Sequence, residues 1–499
     1  MDPSSPLDTI ICARLRAQKP NVQARKTTNT FIRNLEEALD VRRATQTLFP
    51  IIQNAWQADP TIVNFCSNDV LSIGASGALR NEFMSELAKQ PDFSPGSGGS
   101  RVLDGNFPYL EETEQFIAGF HGAETGLIMQ SGFDANVAIW TAIPRIGDVI
   151  LYDELVHAST HEGLSQSLAM ARHEFAHNDI ESFRSAILVI LDKYPAVKSG
   201  RRCILVAVEG TYSVDGDMCP LQELVDVSRE LFPENPSTVQ FVIDEAHSTG
   251  VIGPMGKGLV NALGLEQDIA VRLHTCGKAM SASGAIILGS ATVRAAIINL
   301  TRSVIFSTGP SFPFVAAIRA GYNLLQTGQT TKVIRTKPNT LEMHPINLRQ
   351  AQDRVQDHVR LFFESIIAHP LWPQAQSTCR LSIPLLDLAW RDQPYVTHIV
   401  PIHTQEPYHY WLYFHLLYSG FSVFPVSYPT VPSHKTRLKV TFHADNTTEE
   451  VLRLVDAMFD FVQEVVELET GNWDTTVPQK AKRVYAWMEK EGLVGYGKT

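Results

Sequence analysis

The sequence predicts an α/β protein with a large domain, built on a mostly parallel sheet, and a smaller C-terminal α+β domain. Between about residues 124 and 290, short apolar runs alternate with segments of helical periodicity, as in right-handed βαβ units. After about Thr327 the pattern changes to a polar, proline-bearing connector, 327–345, and then to mixed helices and strands. The 499 residues, 44% of them hydrophobic, exceed one ordinary domain and are ample for a sizeable core.

The elements follow from the periodicity of the apolar residues. Residues 1 to about 30 are polar and predict partial disorder, and residues 31–49 have the periodicity of a helix. Further helices are predicted at 109–120, from about 135, at 221–231, 347–367 and 408–419, and strands at 126–130, 149–152, 202–209, 241–243, 270–275, 284–289, 396–401 and 421–425. The expected segments are 1–60 (N-terminal segment with a lead-in helix), 61–326 (large domain), 327–465 (small domain) and 466–499 (a tail with one possible helix).

Charge and cysteine usage exclude several classes of protein. The net charge of −11 argues against nucleic acid or an anionic membrane surface as the main partner. Six scattered cysteines, without CxxC or metal-ligand spacing, indicate free thiols in a reducing compartment. No apolar run approaches eighteen residues and the N-terminus has no secretory h-region, so we expect a cytoplasmic protein without a membrane span.

The most informative stretch is the pair of strands around Asp244 and Lys278. The apolar run 241–243 ends abruptly in Asp244, Glu245 and His247, and the next run, 270–275, is broken by Gly277 just before Lys278. Because parallel strands present their carboxyl ends at one edge of a sheet, we expect a carboxylate, an imidazole and an amine at neighbouring strand ends.

These three groups are what a pyridoxal phosphate (PLP) site needs. An amine can condense with the carbonyl of the cofactor, a carboxylate can keep a pyridine nitrogen protonated, and an imidazole can hydrogen-bond the ring oxygen. Taken singly, Asp244 and His247 are ordinary turn or cap residues and Lys278 an ordinary surface lysine. Their spacing on two buried-looking strands favours the cofactor.

A strand–turn–helix segment at Ser131–Gly132–Phe133 predicts a site for the cofactor phosphate. It follows the strand 126–130 and precedes the helix that begins near Ala135, so free backbone N–H groups surround the turn. The alternative is an ordinary βα turn. The glycine-rich segment 95–101 is neither a Walker A nor a GxGxxG fingerprint and by itself indicates only a turn.

Two histidine-bearing segments invite other interpretations. His157 and His161 are four residues apart with Glu162 nearby, but the pattern is not HExxH and lacks a third convincing ligand, so we predict no metal site. For the segment 175–179, Phe-Ala-His-Asn-Asp, a capped turn is the preferred interpretation.

DEAHSTG at 244–250 followed by HTCGK at 274–278 resembles the signature of the α-oxoamine synthases. These are fold-type-I PLP-dependent transferases of the class I/II aminotransferase superfamily, and the chain is most similar to the fungal-type 8-amino-7-oxononanoate synthases. The resemblance runs from about residue 38 to about residue 465. It implies a large domain with a mostly parallel sheet of the seven-stranded type and a smaller C-terminal α+β domain.

The resemblance also implies roles for individual residues. Lys278 would carry PLP and remove the Cα proton, Asp244 would face the pyridine nitrogen, and His157 would stack on the ring and assist. The other implied cofactor contacts are Ser131, Gly132, Phe133, Ser213, His247 and Thr275, together with Ser307 and Thr308 of a neighbouring subunit in a homodimer. The implied substrate contacts are Asn68 (alternatively an Asx-turn residue), Thr430, in the motif YPTVP, and Arg437, which would pair with the amino-acid carboxylate or, alternatively, is solvated at a strand start.

The activity implied is a decarboxylative, Claisen-type condensation of a small amino acid with an acyl thioester on CoA or an acyl carrier protein, giving an α-amino ketone. Alanine is the first candidate, with serine and glycine open. Phe49, Val70 and Cys276 depart from the usual residues of the family, so a polyketide-type donor in secondary metabolism competes with pimeloyl thioester in biotin synthesis. A PLP-dependent aminotransferase would share Asp244 and Lys278, but the SGFDAN, HAS and TVP segments favour the synthases; retention of Lys278 argues against an inactive regulatory subunit.

Overall fold

The computed structural model describes residues 6–26, 28–51, 59, 61–337, 340–406, 408–427, 430–432, 435–471, 476–493 and 495–496. Its contacts divide the chain into two compact units. The terminal unit comprises Met1–Ser67, Asp357–Phe442 and Asn446–Thr499, and the central unit comprises Asn68–Gln356 and His443–Asp445. The domain boundaries expected near residues 60, 326 and 465 stay a prediction.

The helices and strands alternate through most of the chain. The helices are α1 Pro6–Ala17, α2 Val22–Arg25, α3 Thr30–Ala44, α4 Ala78–Ala88, α5 Pro108–His121, α6 Gly132–Ala142, α7 Ala158–Ser165, α8 Ile180–Lys193, α9 Pro195–Lys198, α10 Leu221–Leu231, α11 Leu259–Leu263, α12 Ala291–Leu300, α13 Arg302–Phe306, α14 Phe312–Thr327, α15 Leu348–Ala368, α16 Trp372–Ser377, α17 Tyr408–Tyr418, α18 Thr448–Glu469 and α19 Gln479–Glu491. The strands are β1 Val63–Asn64, β2 Thr125–Met129, β3 Val149–Asp153, β4 Ala171–Phe175, β5 Ile204–Glu209, β6 Val239–Asp244, β7 Ile269–Thr275, β8 Ala285–Gly289, β9 Gln329–Lys337, β10 Thr340–Asn347, β11 Ile399–Ile402, β12 Phe421–Ser422, β13 Phe424–Val426 and β14 Arg437–Thr441.

The central unit is built on a seven-stranded sheet in the order β2-β8-β7-β6-β5-β3-β4. β8 runs antiparallel to both of its neighbours, and the pairs from β7 to β4 are parallel. This confirms the predicted α/β fold with a mostly parallel sheet. The strands are continuous apolar runs because both faces of the sheet are covered, so that side chains on both sides of a strand are buried. In β5, for example, every residue is buried. The register pairs Glu209 with Asp244, so two carboxylates meet at one strand edge.

Helix α6 begins earlier than its sequence suggested, at Gly132 rather than near Ala135. The reason is its N-cap: the Ser131 side chain accepts a hydrogen bond from the N–H of Asp134, at 3.0 Å, which satisfies one of the free donors of the first turn. The first turn of α6 therefore starts directly after the strand β2. Trp140 and Ile139 on this helix are buried in the core that covers the sheet.

The terminal unit has its own sheet and core. β11, β14 and β13 form a three-stranded antiparallel sheet, and β1 pairs with β12 in parallel. Its centre is aromatic: Phe65 packs edge-on against Phe442, with ring centroids 5.4 Å apart, and Phe362 lies 5.2 Å from the same ring. The predicted strand 421–425 is two strands, β12 and β13, interrupted at Val423.

The prediction of partial disorder for residues 1 to about 30 is wrong for the stretch that forms α1. Ile11 and Leu15, one helical turn apart, are buried in the core of the terminal unit. The carboxylate of Asp8 accepts hydrogen bonds from Tyr418 and, at 2.9 Å, from Arg483 of α19. The polar composition wrongly indicated disorder, because polar side chains of α1 form hydrogen bonds with residues far along the chain.

One further segment differs from expectation, and another agrees with it. The connector predicted at 327–345 forms an antiparallel hairpin of β9 and β10, which agrees with its β-branched residues Thr330, Thr331, Val333 and Ile334. The tail contains the one helix expected of it, α19, in which Val484 and Met488 are buried.

Among the described residues, no helix is long and apolar enough to cross a membrane. The six cysteines are free thiols, as predicted from their spacing.

Candidate active site

The central unit contains a cavity of about 430 Å³ at the carboxyl ends of β5, β6 and β7. The first turn of α6 and the loops after β3 and β7 complete its wall. Of the residues predicted from the sequence, the following line it: Asn68, Ser131, Gly132, Phe133, His157, Ser213, Asp244, Thr275 and Lys278. The structure thus brings together side chains that lie up to two hundred residues apart.

A hydrogen-bonded chain connects Asp244 to His157. The amide of Asn136 donates one hydrogen to Asp244 Oδ2, at 2.8 Å, and the other to Ser159 Oγ, at 2.9 Å. Ser159 Oγ lies 2.8 Å from His157 Nδ1 and donates to it, because Nδ1 is already an acceptor of the Ser159 N–H and so carries no hydrogen. The Ser159 N–H also donates to Nδ1, at 3.2 Å, so the neutral His157 carries its proton on Nε2.

Glu209 adds a second carboxylate to the site. It is buried, lines the cavity, and accepts a hydrogen bond from the N–H of His157 at 2.5 Å. Burial, reinforced by the negative charge of Asp244, raises the pKa of Glu209 well above its usual range. Asp244 itself is oriented by the Asn136 amide and by the N–H of Ala246, at 2.9 Å from Oδ1.

Lys278 lines the same cavity as both carboxylates. Burial lowers the pKa of Lys278, although the charges of Asp244 and Glu209 act in the opposite direction. A lowered pKa increases the fraction of free amine at neutral pH, which is the form that can attack a carbonyl or accept a proton. Burial also lowers the pKa of His157, against the opposing charge of Asp244.

The turn at Gly132 has the geometry of an anion cradle. A Cβ on Gly132 would come 2.4 Å from Thr275 Cγ2, so glycine lets the start of α6 approach the end of β7. Thr275 Oγ1 is buried and has no hydrogen-bond partner among the described residues. A hydroxyl donor beside the N-terminus of an eleven-residue helix suits a phosphate.

The remaining predicted site residues lie elsewhere. His247 is buried and is not among the residues that line the cavity. Ser307 and Thr308 line a separate small pocket with Arg101 and Asp134, so their predicted contact across a subunit interface stays a prediction. Arg437, which is buried, and Thr430, which is exposed, belong to the terminal unit. Tyr428 and Pro429 of the YPTVP segment lie outside the described residues.

The Phe-Ala-His-Asn-Asp segment is more than a capped turn. Asp179 caps α8 as expected, accepting from Ser182 N at 2.8 Å. In addition, His177 donates from Nδ1 to Asp153 and from Nε2 to Asp217, both at 2.8 Å. Burial alone would lower its pKa, but the hydrogen bonds to Asp153 and Asp217 raise the pKa of His177 to about 10. This clamp ties the end of β3 to the loop that carries Ser213.

Residues 60–458 match the model of the family described as aminotransferase class I and II. The chain belongs to this family. It is 49% identical over 474 residues to aminoacyl transferase sphA of Byssochlamys spectabilis, which covers 95% of this chain and 96% of that protein. It is 39% identical to the 8-amino-7-oxononanoate synthase of Emericella nidulans, over 80% of this chain and 89% of that protein.

Solved structures show the same fold. A serine palmitoyltransferase from S. paucimobilis matches with a TM-score of 0.65 at 21% identity, over 81% of this chain and 88% of the other. The 8-amino-7-oxononanoate synthase of Francisella tularensis matches with a TM-score of 0.57 at 20% identity, over 81% and 99%. The family model and the relatives at 49% and 39% identity confirm the predicted family: the protein is a PLP-dependent enzyme of the α-oxoamine synthase type.

The donor set fits the cofactor of this family. Thr275 Oγ1 and the first N–H groups of α6 suit its phosphate, Asp244 suits a protonated ring nitrogen, and the Lys278 amine suits its carbonyl. Among the described residues no cluster of ligands suits a metal ion.

Sequence reasoning missed three residues of this synthase: Glu209, Asn136 and Ser159. Glu209 ends β5 just as Asp244 ends β6, so the same strand-edge argument could have found it. Asn136 and Ser159 belong to the SGFDAN and HAS segments, but nothing in their spacing indicates that they meet across 23 residues.

Substitution of Ser159 by alanine tests the chain of hydrogen bonds. The hydroxyl donates to Nδ1 and so stabilises the neutral imidazole; its loss should raise the pKa of His157. We expect kcat to fall about tenfold and the acid limb of its pH profile to move to higher pH. The pH dependence of kcat is the measurement, and Ser165→Ala, at the exposed end of α7, is the control. An unshifted profile would show that the hydroxyl does not act through His157.

The His177 clamp predicts a loss of stability at alkaline pH. The folded-state pKa, about 10, lies above the ordinary value of about 6.5. The stabilisation is therefore complete below about pH 6.5 and is lost as the pH rises through about 10. Urea unfolding between these limits should show a decline in the free energy of unfolding that is smaller in His177→Gln than in the wild type. The exposed His161→Gln should retain the wild-type slope.

Proposed function

We propose that this enzyme condenses a small amino acid with an acyl thioester, releasing CO₂ and a free thiol and forming an α-amino ketone. The observation that carries the proposal is the convergence of Lys278, Asp244 and His157 on one cavity, which also contains the phosphate cradle. Alanine is the first candidate for the amino acid, and serine and glycine remain open.

Lys278 is proposed to handle the proton at the amino-acid Cα. When bound, PLP supplies an electron-withdrawing ring that stabilises negative charge at that carbon. Lys278, with its pKa lowered by burial, can accept the proton as a free amine. Asp244, held by Asn136 and Ala246 N–H, keeps a negative charge where a protonated ring nitrogen would lie.

His157 is proposed to lie over the ring and to present Nε2–H to the reacting groups. Its orientation is held by Ser159 at Nδ1 and by Glu209 at its backbone N–H. Gly132, Phe133, Ser131 and Thr275 are proposed to hold the phosphate.

The remaining contacts are proposed from the family resemblance. Ser213 and His247 would contact the ring oxygen, and Asn68 and Thr430 the substrate. Arg437 is suited to a carboxylate, because a guanidinium can donate two parallel hydrogen bonds to its oxygens. We also propose a homodimer in which Ser307 and Thr308 reach the partner's cofactor phosphate, and a cytoplasmic location.

The acyl donor is proposed to be a polyketide-type thioester, carried by CoA or an acyl carrier protein, rather than pimeloyl thioester. The relatives named aminoacyl transferase are 49% and 48% identical over 95% of this chain, whereas the fungal 8-amino-7-oxononanoate synthase is 39% identical over 80%. Phe49 stands where bacterial members carry a basic residue, and its side chain is 69% exposed. A basic residue there would be the natural partner of a second carboxylate.

The test combines the purified holoenzyme with carboxyl-labelled alanine, serine or glycine and with decanoyl-CoA or pimeloyl-CoA. Release of labelled CO₂ and of CoA thiol in equal amounts, with one amino acid, supports the proposal. A keto acid formed from the amino acid without CO₂ would instead identify an aminotransferase. Turnover with pimeloyl-CoA but not decanoyl-CoA would refute the proposed donor and leave the reaction class standing.

A further inference from the structure

A second depression in the central unit lies beside the active-site cavity. It is an open groove of about 490 Å³ between helices α4 and α14. Its walls are mainly apolar: Leu79 and Phe83 of α4 and Pro313, Phe314 and Ala317 of α14. Among the described residues that line it, Arg80 alone is charged, and it is exposed.

The groove and the active-site cavity share a wall. Ala282 and Ser283, in the turn that follows Lys278, line both. The shared segment is built of small residues. The loop that precedes α4 packs closely on it, because a Cβ on Gly74 would come 2.1 Å from Ser281 Oγ. Asp69 holds this loop by accepting the N–H of Ala75 at 2.7 Å and of Gly74 at 3.2 Å. The groove and the cavity are therefore adjacent along the turn that follows Lys278, and the two residues that they share there have small side chains.

We propose that this groove binds the hydrocarbon chain of the acyl thioester. The inference rests on the proposed function, because the reaction requires a thioester carbonyl beside Lys278 and a chain leading away from it. Binding of an apolar chain would shield the aromatic and aliphatic side chains of the groove from water, which is favourable in proportion to the apolar area covered. A dicarboxylic chain would instead place a charge among Phe83 and Phe314 unless it reached Arg80. Chain-length selectivity is then set by α4 and α14.

Binding can be measured without turnover, by isothermal titration calorimetry of the holoenzyme with butanoyl-, hexanoyl-, octanoyl- and decanoyl-CoA. In the wild type we expect Kd to fall by up to about fourfold for each added methylene. In Ala317→Trp, whose indole would fill the groove, Kd should hardly change with chain length. Ala88→Trp adds the same bulk at an exposed position on α4 and should behave as the wild type.

Several results would overturn the proposal: a wild-type Kd independent of chain length, an unchanged dependence in Ala317→Trp, or conversion of that variant from dimer to monomer in light scattering. The last result would show that a second copy of the chain covers the groove. If Ala317→Trp does not fold, Phe83→Ser takes its place and should weaken decanoyl-CoA binding about tenfold and butanoyl-CoA binding little.

The two proposals fail in different ways. Chain-length-dependent binding without CO₂ release from any amino acid would refute the condensation and keep the groove as a lipid-chain site. If the rate of CO₂ release depends neither on the length of the acyl chain nor on the Ala317→Trp substitution, the proposed condensation stands and the proposed role of the groove is refuted.

Discussion

Lys278→Ala should lower kcat for the condensation about 10⁴-fold, the largest effect expected of any single substitution. The reason is that the amine has two proposed uses: to attach the cofactor and, with its pKa lowered by burial, to accept the Cα proton. Removal of the side chain ends both. The measurements are kcat by CO₂ release and, independently of activity, the mass of the protein after borohydride reduction, which should show retained cofactor in the wild type only.

The matched control is Lys198→Ala, because Lys198 is an exposed lysine of the same unit, far from the cavity lining. It should keep the wild-type kcat and the mass increment. Cofactor fixed by borohydride in Lys278→Ala would mean that another lysine forms the bond, and the assignment of this site would fail.

Asp244→Asn should lower kcat/KM about 10² to 10³-fold. The amide has nearly the shape of the carboxylate, and its one oxygen can still accept from one of the two donors, the Asn136 amide or the N–H of Ala246, so the fold should persist. What is lost is the negative charge that holds a ring nitrogen protonated, and with it the withdrawal of electrons from Cα. The measurements are kcat/KM and the Kd for PLP, which should rise with the same substitution.

Asp226→Asn is the corresponding control, since Asp226 is an exposed carboxylate on α10. Its kcat/KM and cofactor affinity should equal those of the wild type. A normal cofactor affinity and a normal rate in Asp244→Asn would show that the charge of this carboxylate is not used.

The prediction of the strand-edge pair of Asp244 and Lys278 succeeded because it depends only on local rules. An apolar run that ends in a polar group predicts a buried strand and its carboxyl end, and parallel strands place such ends side by side. The structure agrees: Asp244 ends β6, and Lys278 follows β7, the neighbouring strand. The strand–turn–helix pattern predicted Gly132 by an equally local rule, whereas Thr275 was implied by the family resemblance.

The predictions failed at two segments whose structure was inferred from amino-acid composition alone, because composition does not show which residues they contact. The polar N-terminus indicated disorder, yet α1 buries Ile11 and Leu15 and pairs Asp8 with Arg483 of α19. The segment 327–345 suggested a connector and forms the hairpin β9–β10. For α1 the deciding partner is a helix more than four hundred residues away along the chain. For β9 it is the neighbouring strand β10, whose pairing the polar composition of the segment did not indicate.

The sequence by itself determined the mostly parallel α/β fold and the residues that meet at the strand edge, because periodicity and chain direction are properties of short segments. The cofactor followed from the chemistry of those residues and from their resemblance to the α-oxoamine synthase motifs. Only the tertiary structure decided that Asn136 and Ser159 link Asp244 to His157, that Glu209 supports His157, and that an apolar groove adjoins Lys278. Such contacts depend on how α6 packs on the sheet and on how α4 lies against α14. A shift of about an ångström in either packing would break a hydrogen bond or close the groove, and no local pattern in the sequence specifies distances that fine.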